Sequence, residues 1–114
     1  MDIQIHEKEG VKIMRIRGSL DTNTSSEAEV LFREVLQEGA TRLLLDFSEL
    51  DYISSAGLRV LLTTSKQLLG KGQLGIFNPN EQIREVFEMT GLIGLIFNIF
   101  ESEGQAMQNF ETGR

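Results

Sequence analysis

The sequence predicts an α/β domain built on a mixed, mostly parallel sheet of about five strands with about four helices, in the order β-β-α-β-α-β-α-β-α. Three observations carry that expectation. Extended, partly alternating segments flank a glycine turn near the start of the chain. The run Arg42-Leu43-Leu44-Leu45-Asp46-Phe47 is apolar without alternation, and stretches of helical spacing separate the later apolar runs. A strand covered on both faces reads as a continuous hydrophobic run, and a parallel neighbour needs a crossover long enough to hold a helix.

Taken in order, Ile3 and Ile5 alternate with polar residues, Glu9-Gly10 supplies a turn, and Val11, Ile13, Met14 and Ile16 continue in extended style, so a β-hairpin opens the chain. Thr24 precedes Glu27 at the spacing of a capping box. Ala28, Leu31, Phe32, Val35 and Leu36 then recur with helical periodicity, predicting a helix over about residues 25–38 that Gly39 ends. The apolar run at 42–47 is the expected central strand. After the polar connection Ser48-Glu49-Leu50-Asp51, a second helix begins around Ser55, carries Leu58, Leu61, Leu62, Leu68 and Leu69, and stops near Gly70-Lys71-Gly72. Leu74 and Ile76 mark another strand. Asn78-Pro79-Asn80 breaks it and opens a helix with Ile83, Val86 and Phe87, closed by Gly91. Residues 95–100 read as a last strand, and Ser102 with Gln105 caps a short helix containing Ala106 and Phe110. The domain thus spans 1–110, with 111–114 as a flexible tail.

Composition narrows the function. A chain of 114 residues, 40% hydrophobic and 25% charged, has room for one core without metal or covalent staples, and it contains no cysteine. Seventeen acidic against eleven basic residues give a net charge of -6, which repels nucleic-acid phosphates and anionic membranes, so a protein partner is expected. The N-terminus lacks a basic region followed by an apolar run. The longest apolar stretch is interrupted by Gly94 and Asn98, well short of the roughly 20 residues of a membrane span, and a cytoplasmic protein is expected.

The segment from Asp46 to Leu58 joins the apolar strand to the second helix. Strand C-termini and helix N-termini meet there and present unpaired N–H groups that favour negative charge, a suitable place for a phosphoserine at Ser55. Either Ser54 or Ser55 also suits an N-cap. Gly57 suits close packing of helix on sheet as well as close approach of a partner. Asp21, Asp46, Glu49 and Asp51 offer a second reading, a Mg²⁺ site like that of a phosphoaspartate receiver. A receiver places paired acids after its first strand, where this chain has only Glu7. His6 is the sole histidine, and no phosphate loop, dinucleotide fingerprint or nucleophile elbow occurs, so neither a cofactor nor an enzymatic activity is expected.

Asp46, Ser48, Ser54, Ser55, Ala56, Gly57 and Leu58 stand in the order of a known signature, and Gly18-Ser19-Leu20-Asp21, followed by Thr22, matches a second feature at the end of the second strand. On these residues the chain resembles the STAS anti-sigma factor antagonists over about its whole length. The resemblance implies a STAS-like single domain acting as a bacterial partner switch. The unmodified form binds an anti-sigma factor that is also a serine kinase, releasing the sigma factor; phosphorylation ends binding, and a serine phosphatase restores it. By motif position Ser55 is the acceptor; Ser54 departs from the aspartate that many members carry there and, as an adjacent competing hydroxyl, is the second choice. Asp21, Thr22, Asn23, Thr24, Ser54, Ser55, Ala56 and Gly57 form the implied partner surface. A STAS subunit of another switching assembly is the alternative.

Overall fold

In a computed structural model, which describes residues 1–91 and 98–112, strands β1 (Asp2–Lys8) and β2 (Val11–Leu20) form the expected antiparallel hairpin, in register from Asp2 opposite Arg17 to Lys8 opposite Val11. Glu9 and Gly10 both take positive φ, 53° and 80°, the turn handedness that matches strand twist. Helix α1 (Ser25–Gln37) ends on Gly39, where φ is 100° and the amides of Gly39 and Ala40 donate to the carbonyls of Leu36 and Val35, a Schellman closure.

Next come β3 (Arg42–Asp46), β4 (Leu50–Ile53), α2 (Ser55–Leu68), β5 (Gln73–Phe77), α3 (Glu81–Thr90), β6 (Asn98–Phe100) and α4 (Glu103–Thr112). The sheet order is β1-β2-β3-β5-β6, with β3 central and every pairing after the hairpin parallel. The anticipated order holds with one added strand. β4 arises inside the expected connection and pairs parallel with the end of β2, from Gly18 opposite Leu50 to Leu20 opposite Ile53. The register shifts between Gly18 and Ser19, and Gly18 has φ 102° at this bulge. β2 therefore serves two partners in turn, β3 along Lys12–Arg15 and β4 beyond it. Of the anticipated last strand, 98–100 form β6 and 95–97 lie outside the described residues. α4 continues through Thr112, two residues into the stretch anticipated as a tail, and 113–114 lie outside the description.

Alternation along the strands sends side chains to two cores. Met14, Ile16, Leu43, Leu45, Leu74 and Ile76 pack against α1, α2 and α3; Val11, Ile13, Leu44 and Phe77 pack against α4 through Ala106, Met107 and Phe110. The apolar run of β3 is thus explained: its successive leucines are buried on opposite faces. α3 is anchored by Phe87, whose ring stacks on Phe47 with centroids 6.3 Å apart. Its N-cap is Asn80, whose side-chain oxygen accepts from Ile83 N–H at 2.9 Å, and it closes on Gly91 with φ 70°. At α4, Ser102 Oγ accepts from Gln105 N–H, while Gln105 Oε1 accepts from Glu101 N–H, one residue earlier than in the standard box.

Candidate functional site

Two chain segments meet at one end of the sheet, the strand-to-helix junction after β4 and the turn after β2. At the junction Ser54 is extended (φ -99°, ψ 177°) and caps α2, its Oγ accepting from Gly57 N–H at 3.4 Å. Ser54 N–H donates to Leu20 O at 2.9 Å, tying the junction to the last residue of β2. Ser55 is the first helical residue, and its side chain is exposed whereas Ser54 is half-buried. Capping and exposure are therefore divided between the adjacent serines. Helix geometry leaves the first N–H groups without intrahelical acceptors, and those of Ser55 and Ala56 have no partner among the described residues.

Close packing fixes the height of this helix start. Gly57 is buried, and a Cβ there would lie 2.4 Å from Leu20 O and 2.8 Å from Leu20 Cγ. Its missing side chain lets α2 sit on the end of β2, so any help it gives a partner acts through that seat. Ala56 is half-buried, and Leu58 packs at the margin of the core instead of within it.

In the neighbouring turn Asp21 Oδ1 accepts from the N–H groups of Asn23 (2.9 Å) and Thr24 (3.2 Å). Thr24 does not complete the capping box anticipated with Glu27. Its hydroxyl donates to Ser19 O at 2.8 Å and accepts from Asp21 N–H at 2.9 Å, which uses the oxygen that a box would aim at the helix. Asp21 and Thr24 thus hold the turn, and Thr22 and Asn23 are its exposed tip.

The four acids considered for a metal do not gather at one point, although Asp46 and Glu49 share Arg15. Asp46 is only 5% exposed; its Oδ1 accepts from Ser48 N–H and Ser48 Oγ–H, and its Oδ2 lies 3.1 Å from Arg15 Nε. It shares a strand face with Leu44 and so points to the α4 side, away from α2. Glu49 pairs with Arg15 and Arg17 at 3.5 and 2.9 Å, Asp21 serves its own turn, and Asp51 is exposed on β4. Among the described residues no three His, Cys, Asp or Glu side chains are placed to hold a metal ion.

One relevant cation escaped the sequence reading. Arg59 is exposed one helical turn beyond Ser55, on the same helix face, with no ion-pair partner among the described residues. The i, i+4 spacing from Ser55 was the available signal.

Residues 2–106 match the model of the STAS domain. The chain belongs to the STAS domain family. BtrV of Bordetella bronchiseptica, provisionally named an anti-sigma factor antagonist, is 34% identical over 113 residues, covering 98% of this chain and 97% of BtrV. The anti-sigma-F factor antagonist RsfB of Mycobacterium tuberculosis is 25% identical over 112 residues, 98% of this STAS chain and 91% of RsfB. The crystal structure of an anti-sigma factor antagonist from Mycobacterium paratuberculosis superposes with a TM-score of 0.89 at 21% identity, covering 96% of this chain and 93% of that one, a likeness of fold. These names agree with the resemblance read from the signature residues. STAS antagonists are regulatory binding proteins, and no helix among the described residues is long and apolar enough to cross a membrane.

Proposed function

We propose that this STAS domain is an anti-sigma factor antagonist of the bacterial cytoplasm whose unphosphorylated form binds an anti-sigma factor with serine kinase activity, and that phosphorylation of Ser55 ends that binding. The exposed Ser55 hydroxyl at the α2 N-terminus, beside the Asp21–Thr24 turn, is the observation that carries the reading. Ser54 is the second choice as acceptor, because its Oγ is engaged in capping.

In the modification step Ser55 Oγ attacks the γ-phosphorus of ATP held by the kinase. The Oγ–P bond forms, the bond to the bridging oxygen breaks, ADP leaves, and the hydroxyl proton passes to a base on the kinase. A serine phosphatase reverses the modification with water and releases inorganic phosphate. The product carries roughly -1.5 to -2 charges. Within the domain that charge is tolerated, since it stands over the free amides of Ser55 and Ala56 and one turn from Arg59. Within a closely fitted interface it must be desolvated, and a differential of about 3 kcal/mol lowers affinity by a factor on the order of 100.

The reading is tested with purified cognate anti-sigma factor and ATP. Phosphate is expected on Ser55 by mass spectrometry, Ser55→Ala is expected to bind without being modified, and the phosphorylated chain is expected to lose binding. Equal affinity of the two forms would reject the switch, and phosphate on Ser54 would move the acceptor.

A further inference from the structure

The chain leading into Ser55 runs along β4, which packs against α3. Asp51, Tyr52 and Ile53 of β4 and Gln82, Ile83 and Val86 of α3 line an open groove of about 280 Å³. Tyr52, three residues before Ser55, is 53% exposed, although it is a large aromatic side chain on a strand. Helical geometry at about 100° per residue places Gln82, Val86 and Met89 in one row, and Met89 is 85% exposed. Tyr52 and Val86 therefore give the groove an apolar wall open to solvent, and Met89 continues the row along α3 beyond the lining.

A second row runs beside the first. Glu81, Glu85 and Glu88 recur at i, i+4 and i+7, all exposed, and Asp51 stands across the groove on β4. None of these four carboxylates has an ion-pair partner among the described residues. The acidic row turns its back on the buried face of α3, where Ile83 and Phe87 hold the helix to the sheet, so it contributes nothing to packing.

We infer that the partner footprint extends from Ser55 across Tyr52 to α3, and that the groove takes a basic, apolar segment of the anti-sigma factor, an apolar side chain against Tyr52 and Val86 and flanking Lys or Arg against the carboxylate row. The inference rests on the partner-switch reading above. Three considerations choose this occupant. The groove is below the roughly 300–1,000 Å³ of ligand pockets and suits one or two side chains of a protein partner. A half-exposed tyrosine at the rim of an apolar pocket is the type of residue that anchors protein interfaces. A second copy of this chain, itself carrying -6, would set carboxylates against carboxylates.

Titration calorimetry of the unphosphorylated chain with purified cognate anti-sigma factor, at low and high salt, tests the inference. The triple variant Glu81→Lys, Glu85→Lys, Glu88→Lys is expected to bind at least tenfold more weakly at low salt and to lose most of the salt dependence of the original chain. Tyr52→Ala is expected to lose at least tenfold at both salt concentrations. Glu38→Lys, a single charge reversal away from the groove at the far end of α1, is expected to bind as the original chain does. Circular dichroism melts confirm that each variant is folded, and the helix-surface triple variant serves if Tyr52→Ala is not. Variants that bind within twofold of the original, while phosphorylation of Ser55 still abolishes binding, would place the groove outside the footprint and leave the switch standing. If phosphorylation changes nothing, the switch itself falls and the inference with it. A dimer of the original chain that the triple variant dissociates would assign the groove to self-association and overturn the proposal.

Discussion

Two adjacent serines with the same side chain have different tasks because one residue of register separates them. Ser54 lies just before the helix with extended backbone and turns its oxygen inward to the Gly57 amide; Ser55, one position on, projects to solvent. Ser54→Ala is expected to lower stability by only about 0.5 kcal/mol, the low end for lost caps, because its hydrogen bond is long at 3.4 Å. Gly57→Ala has no space, since the added carbon meets Leu20 O at 2.4 Å, and an overpacking loss of about 1–3 kcal/mol is expected. Urea denaturation of the two variants orders these effects, and a larger loss from Ser54→Ala would contradict the close seating of α2.

The elements differ in how plainly the sequence declares them. α1, α2 and α3 are legible because apolar spacing and punctuating residues agree: Gly39, Asn80 and Gly91 stop or start helices where their backbone or side chain is needed. β4 is not legible, because only Leu50 and Ile53 of its four residues are buried and its pairing depends on a bulge at Gly18, a contact distant in sequence. The Thr24–Glu27 spacing promised a box, but the hydroxyl found the strand-end carbonyl of Ser19, a tertiary choice invisible to local spacing. The junction at Ser55 was legible as strand followed by helix, whereas the side of the sheet taken by Asp46 required the strand alternation to be set against two cores. Within α2, Ser65 is 2% exposed and its Oγ has no hydrogen-bond partner among the described residues. Ser65→Ala removes an unpaid desolvation and is expected to raise stability by about 1 kcal/mol in a urea titration, without altering partner binding.

For the molecule as a whole, the two cores are not separable modules. β3 contributes Leu43 and Leu45 to one and Leu44 to the other, so neither core survives loss of the central strand. A single cooperative transition follows, and the chain carries its own reporter: Tyr52 is the only tyrosine and there is no tryptophan. Tyrosine fluorescence at β4 and circular dichroism of the helices are expected to follow the same urea curve, and separated midpoints would reveal an edge that opens independently. The carbonyl of Leu20 joins the two segments of the proposed partner surface at that edge. It receives the Ser54 amide and bounds the space left by Gly57, while the next residue, Asp21, organises the other turn. Both halves of the proposed recognition surface are thus mounted on consecutive residues of one strand end. A visitor that engages both encounters a preassembled edge, gives up little freedom in arranging it, and associates at a rate governed by orientation and charge and not by loop rearrangement.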